Sequence, residues 1–222
     1  MFLIKRLGRL LVIPVVLLGS TLATPRAAGA QAKFELTPFL GSFYPLTKMC
    51  TDCNNDGSDL RGRIVNSAAF GGRLSYWISS TLGLEASGGY TPSRIEVSAE
   101  DTAGFVAGFS ARGNVLLVSG RVLYRPARTN LHFIVGGGIV RRGGDVWKLA
   151  KDSADTKTTS PAGILGIGVR ASVTPKFALN ISAEASLYSF DPRFGPFSDP
   201  SNGSKLQADF LVSVGIPITL SR

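Results

Sequence analysis

Past residue 32 the sequence lacks any apolar run long enough to cross a bilayer as a helix, which takes about 20 residues. From there on the chain is either soluble or a barrel built of strands. Strong helix formers never gather into an amphipathic stripe, which excludes a helical bundle. Cysteine is nearly absent: Cys50 and Cys53 are the only two. That excludes a scaffold held by many disulfides, and with no second pair a zinc site is weak. There is one histidine, His132. Acids are scarcer than bases, 15 against 24, for a formal charge of +9.

Much of that charge lies at the very start. Lys5, Arg6 and Arg9 precede an almost wholly apolar stretch, Leu10 to Ala23. Ala28-Gly29-Ala30 and Ala30-Gln31-Ala32 are both small-x-small cleavage sites. A basic start, a short apolar stretch and a small-residue site predict a secretory signal peptide over residues 1–32, cut after Ala30 or Ala32. The apolar stretch is too short for a spanning anchor. No cysteine stands near the cleavage site, which argues against a lipoprotein. Residues 1–32 carry Lys5, Arg6, Arg9 and Arg26 and no acid, so the charge falls to +5 over the remaining 190 residues. A mildly basic exported domain does not call for nucleic acid; acidic lipid head groups account for it equally well.

What the mature chain has in plenty is alternation. Leu165, Ile167, Val169, Ala171 and Val173 alternate with Gly166, Gly168, Arg170 and Ser172. Thr174-Pro175-Lys176 turns the chain. Leu179, Ile181, Ala183, Ala185 and Leu187 then alternate with Asn180, Ser182, Glu184, Ser186 and Tyr188. A period of two marks strands with one apolar and one polar face. The same pattern predicts strands over 33–46, 68–80, 82–90, 113–125, 131–142 and at the C-terminal end of the chain. Their connections run long, short, long, short, long, short, long, with polar loops expected over 47–67, 91–111, 143–160 and 191–204. Short turns at one end and long loops at the other predict one domain over 33–222, an all-β, eight-stranded antiparallel up-and-down transmembrane β-barrel.

The polar faces carry Glu35, Arg73, Glu85, Arg121, Arg125, Arg170, Glu184 and Asp209. Four acids and four arginines in a narrow interior are tolerable only when paired. They are therefore expected to form a charge network inside the barrel, with the apolar faces turned to lipid. Aromatics near strand ends (Phe34, Tyr44, Phe70, Tyr90, Tyr124, Phe133, Phe177, Phe190) suit interfacial girdles, and ordinary core packing suits them too.

On FELTPFLGSFYP near the mature start, LHFIVGGGIV in the fifth strand and GILGIGVRASVTPKFALNISAEASLY, the chain resembles the OmpA/OmpX/OmpW-like outer-membrane β-barrel group. The resemblance implies export to the bacterial outer membrane, outer-membrane lipid as surroundings, no cofactor and a non-enzymatic structural or surface-interaction role. Its OmpW side implies an alternative, a narrow channel or carrier for small apolar solutes. The chain departs from the group at its end, Ile218-Thr219-Leu220-Ser221-Arg222, where such proteins commonly close on an aromatic.

Cys50-Thr51-Asp52-Cys53 is the most pointed motif. A redox CxxC needs a thioredoxin-like setting, and none is present; an oxidising compartment favours a small structural disulfide. Asp52, Asn54, Asp56 and Asp59 lack the closing Glu of a calcium loop and read as a solvated loop. An outer-membrane lipid deacylase would pair its His with a Ser two residues on, where this chain has Ile134, so no nucleophile and base are evident. His132 reads as an inner or interfacial polar residue. Gly136-Gly137-Gly138 sit inside a strand and read as curvature and close packing, with no phosphate loop. Arg141-Arg142 and Lys148, Lys151 and Lys157 stand level between contact with lipopolysaccharide phosphates and a plain solvated surface.

Overall fold

The computed structural model describes residues 33–47, 50–55, 58–100, 106–145, 159–174, 177–190 and 205–220. The predicted signal peptide, Lys148, Lys151, Lys157 and the 191–204 loop lie outside them. The strands are β1 (Lys33–Pro45), β2 (Cys50–Asn55), β3 (Ser58–Ile64), β4 (Ser67–Trp77), β5 (Leu82–Glu100), β6 (Val106–Tyr124), β7 (Leu131–Gly144), β8 (Thr159–Thr174), β9 (Phe177–Phe190), β10 (Lys205–Gly215) and β11 (Ile218–Thr219). All pairings are antiparallel. β1 pairs with both β4 and β10, so the ring β1-β4-β5-β6-β7-β8-β9-β10 closes as an eight-stranded barrel.

The stagger of the barrel follows from the ladders. Stepping straight across from Phe34 leads to Tyr76, Leu84, Val122, Val135, Leu165, Ala185 and Phe210. One more step returns to β1 at Tyr44, ten residues beyond the start. Ten residues of stagger over eight strands tilts them by about 40°. Each residue then climbs the barrel axis by about 2.5 Å.

β1 has a second partner at its start. Pro217 has no backbone N–H to add to a ladder, and β10 stops at Gly215. Ile216 still donates to the Pro38 carbonyl at 3.1 Å. β11 then resumes against Glu35 and Leu36, so the seam reaches the bottom of the barrel.

Two expected loops are strands. Residues 47–67 contain the β2–β3 hairpin, and β3 pairs with β5 from Asp59↔Glu100 to Ile64↔Ile95. Residues 91–100 belong to β5 and residues 106–111 to β6, which stay paired from Leu82↔Tyr124 to Glu100↔Val106. The four strands β2-β3-β5-β6 form a sheet that rises beyond the barrel on one side. Cys50 and Cys53 flank a register shift in β2, opposite Gly62 and Leu60; their side chains lie outside what the structure describes.

Side chains alternate as the strand period requires. Along β1, Glu35, Thr37, Phe39 and Phe43 are buried, and Phe34, Leu36, Leu40 and Tyr44 are exposed. The interior is mostly polar at mid-height, and the outer wall of the barrel exposes many large apolar side chains.

Candidate functional site

The interior stacks in three layers. The lowest is at the short-turn end. Arg170 on β8 donates to both Glu35 oxygens at 2.9 Å, and the Trp77 indole donates to Glu35 at 3.1 Å. Arg125, just past β6, lies 4.0 Å above the Trp77 ring. His132 is buried beside this layer.

The middle layer is a chain of four charges from four strands. Glu184 on β9 accepts from Arg73 on β4 at 2.8 Å and stands 2.8 Å from Arg121 on β6. Arg121 also reaches Glu85 on β5 at 3.3 Å. Hydroxyls add further bonds: Arg73 donates to Ser182 and Ser213, Arg121 to Ser119, and Ser75 donates to Glu85, while the Arg73 Nε–H is left without a partner. Phe39 lies under the Arg73 guanidinium, 4.4 Å from ring centre to charge. All four charged side chains are at most 3 % exposed. Ions this deep are stable only with partners on several sides, and here each has them.

The upper layer is a relay. Arg142 on β7 donates to the Tyr188 hydroxyl, which donates to Asp209 at 2.5 Å. Thr47 donates to Gln207 at 2.7 Å just above.

Of the eight charges read from the sequence, seven fall in the two lower layers. Asp209 stands apart in the upper one. Arg170 meets Glu35, while Glu184 meets Arg73 and Arg121. Arg142 is a correction: expected on an outer loop, it is 3 % exposed and inside the barrel. The basis for finding it was in the sequence, since alternation from His132 puts Ile134, Val140 and Arg142 on one face. Tyr188, Trp77 and Phe39 were also missed, because aromatics on an inner face do not announce which charge they will cover.

Inward glycines make the room. A Cβ at Gly136 would stand 2.3 Å from the Gly120 carbonyl and 3.0 Å from the Arg121 side chain. One at Gly168 would stand 2.4 Å from the His132 ring. The triple glycine is thus a packing feature, and two of its three members face inward.

Two cavities among the described residues are small. A cavity of about 30 Å³ lies above the middle layer, between Phe39, Phe43, Val115 and Asp209. A second of about 10 Å³ lies in the lower layer beside His132 and Asn180. These hold a few waters at most.

The outer wall has its own order. Phe34, Tyr76, Tyr124, Phe133 and Phe177 ring the short-turn end, with Phe34 and Tyr76 rings 4.7 Å apart. Tyr44, Phe70, Tyr90 and Phe210 line the other end on the adjacent strands β10, β1, β4 and β5, with Phe70 and Tyr90 rings 5.5 Å apart. Phe190 lies outside the described side chains. Between the belts stand Leu74, Leu84, Val118, Val122, Val135, Leu165, Ile181 and Val214, all more than a third exposed. From Phe34 to Tyr44 is ten residues, about 25 Å along the axis.

No family model matches the sequence, and no curated protein matches it. Solved structures similar to this chain are outer-membrane barrels. One is the outer membrane protein OprG from Pseudomonas aeruginosa, 14 % identical, with a TM-score of 0.48, covering 84 % of this chain and 96 % of that one. Another is AlkL, solved in lipid bilayers, 15 % identical, TM-score 0.47, covering 92 % and 98 %. A third is Ail of Yersinia pestis in complex with a heparin analogue, 11 % identical, TM-score 0.41, covering 84 % and 99 %.

Proposed function

We propose that this chain is a β-barrel of the bacterial outer membrane, exported by a signal peptide over residues 1–32, with a non-enzymatic structural or surface-interaction role. One observation carries the reading: an apolar band about 25 Å tall, edged by aromatics, encircles a barrel whose mid-height charges are inside. Water would reverse that arrangement, since a soluble barrel buries its apolar face. Lipid on the outside leaves the interior as the one place for charge.

The ion-paired middle layer crosses the lumen and favours a closed scaffold over a channel for apolar solutes. Surface contacts then fall to the tall sheet β2-β3-β5-β6. Fractionation and heat-dependent gel mobility test the membrane reading. The expected result is an outer-membrane product that migrates faster unheated than boiled. A soluble periplasmic product that binds apolar ligand inside would overturn it.

A further inference from the structure

At the upper aromatic belt and just beyond it, the outer face changes from apolar to basic on three neighbouring strands. Arg94 on β5 and Arg112 on β6 are register partners, so their side chains leave the same face of the sheet directly opposite each other. Arg141 on β7 shares that face and lies on the register line through Phe70, Tyr90 and Leu116. All three are exposed. Among the described residues none of the three has a side-chain hydrogen bond or ion pair. Glu96, the next outward residue of β5, is engaged in a contact of its own.

Like charges directly opposite on a ladder repel. An antiparallel pair normally sets an acid against a base there. Two arginines without an acid persist at low cost where an anion sits between them. Their height says which anion. Arg94 is four residues past Tyr90 and Arg112 four past Leu116, about 10 Å along the axis. Arg141 is lower, level with the belt. If the belt marks the edge of the hydrocarbon, the three guanidiniums span the head-group layer, which adds about 5–8 Å on each side. An arginine stem laid along the wall carries its charged end into that layer. A guanidinium grips a phosphate with two parallel N–H donors, a geometry that suits a phosphate monoester better than a diffuse negative surface.

We propose that Arg94, Arg112 and Arg141 form a binding site for the phosphates of a phosphorylated glycolipid head group in the outer leaflet. The site rests on the membrane reading above. It differs from the basic loops expected from sequence: Arg142 is inside the barrel, and Arg94 and Arg112 take its place.

The test uses the folded mature chain in detergent micelles, with native mass spectrometry counting retained lipid. Probes are diphosphoryl lipid A, its dephosphorylated form and phosphatidylglycerol. The wild type is expected to retain diphosphoryl lipid A about tenfold better than the other two. R94A/R112A should lower that retention by about tenfold or more. R94K/R112K should fall between, since lysine keeps the charge and loses the fork. R128N, at the far end of the barrel where Asn tolerates the positive φ of 64°, should change nothing.

Equal retention by R94A/R112A and wild type would overturn the site. Equal retention of phosphatidylglycerol and lipid A by the wild type would do the same, reducing the patch to general charge attraction. So would displacement of the lipid by inorganic phosphate alone, which would make it a free-anion site. A wild-type chain without heat-dependent mobility would fail the membrane reading itself, and this site with it.

Discussion

Glu184 serves two arginines at once, 2.8 Å from each, in a place water does not reach. Removing its charge leaves Arg73 and Arg121 sharing only Glu85. Breaking a buried pair from one side costs about 3–5 kcal/mol. E184Q is therefore expected to lose that much stability, measured by the urea midpoint of Trp fluorescence in micelles. Y188F should cost less, about 1–3 kcal/mol, because it removes the hydroxyl that links Arg142 to Asp209 and leaves both ends buried. The glycines give a paired test on the same readout. G168A must displace the His132 ring and should cost about 1–3 kcal/mol. G137A, whose Cβ would meet only the Ala162 carbonyl at 3.7 Å, should be near neutral. At this scale the sequence showed which residues turn inward, because alternation is local. It did not show who meets whom. Arg73 and Glu184 are 111 positions apart, and only closure of the ring brings β4 and β9 to face each other.

At the scale of elements, the strands with an apolar face were legible and the upper hairpins were not. Glu96, Ser98 and Glu100 alternate with Ile95, Val97 and Ala99, but the run sits among polar residues and reads as a loop. It becomes strand because β6 and β3 supply ladder partners on both sides. Such a sheet stands on cross-strand pairing, with no face on the barrel interior, so composition alone does not reveal it. The barrel should not need the β2–β3 hairpin. Phe43 and Ser67 are register partners, so a short turn can join β1 to β4 directly. A chain with residues 47–64 replaced by a four-residue turn is expected to keep the heat-dependent shift of the full chain. Loss of that shift would make the hairpin part of the barrel's folding unit.

The whole molecule is inside out relative to a soluble domain, and that has a position-dependent consequence. Val135 lies near the middle of the apolar band, halfway round the line that climbs from Phe34 to Tyr44. Arginine there should cost about 2–4 kcal/mol, and arginine at Leu116, level with the upper belt, about 0–1 kcal/mol. Urea unfolding from lipid vesicles measures both; equal costs would deny the lipid boundary. In planar bilayers the wild type should give no reproducible conductance steps, since Arg73, Glu184, Arg121 and Glu85 bridge the lumen. R121A/E184A, which empties the layer without leaving a lone charge from that pair, is the variant in which steps are expected. Steady steps from the wild type would favour the carrier reading.

Legible without the fold were the strand count of the barrel, the inward and outward sets, and the sorting of mid-height charge to the inner face. Each depends on a period of two and on where the chain turns, which neighbouring residues specify. The ten-residue stagger, the three interior layers and the meeting of Arg94 with Arg112 came only with the fold. Those depend on register between strands, and register is set when the ring closes and every inward side chain must find room and a partner at once.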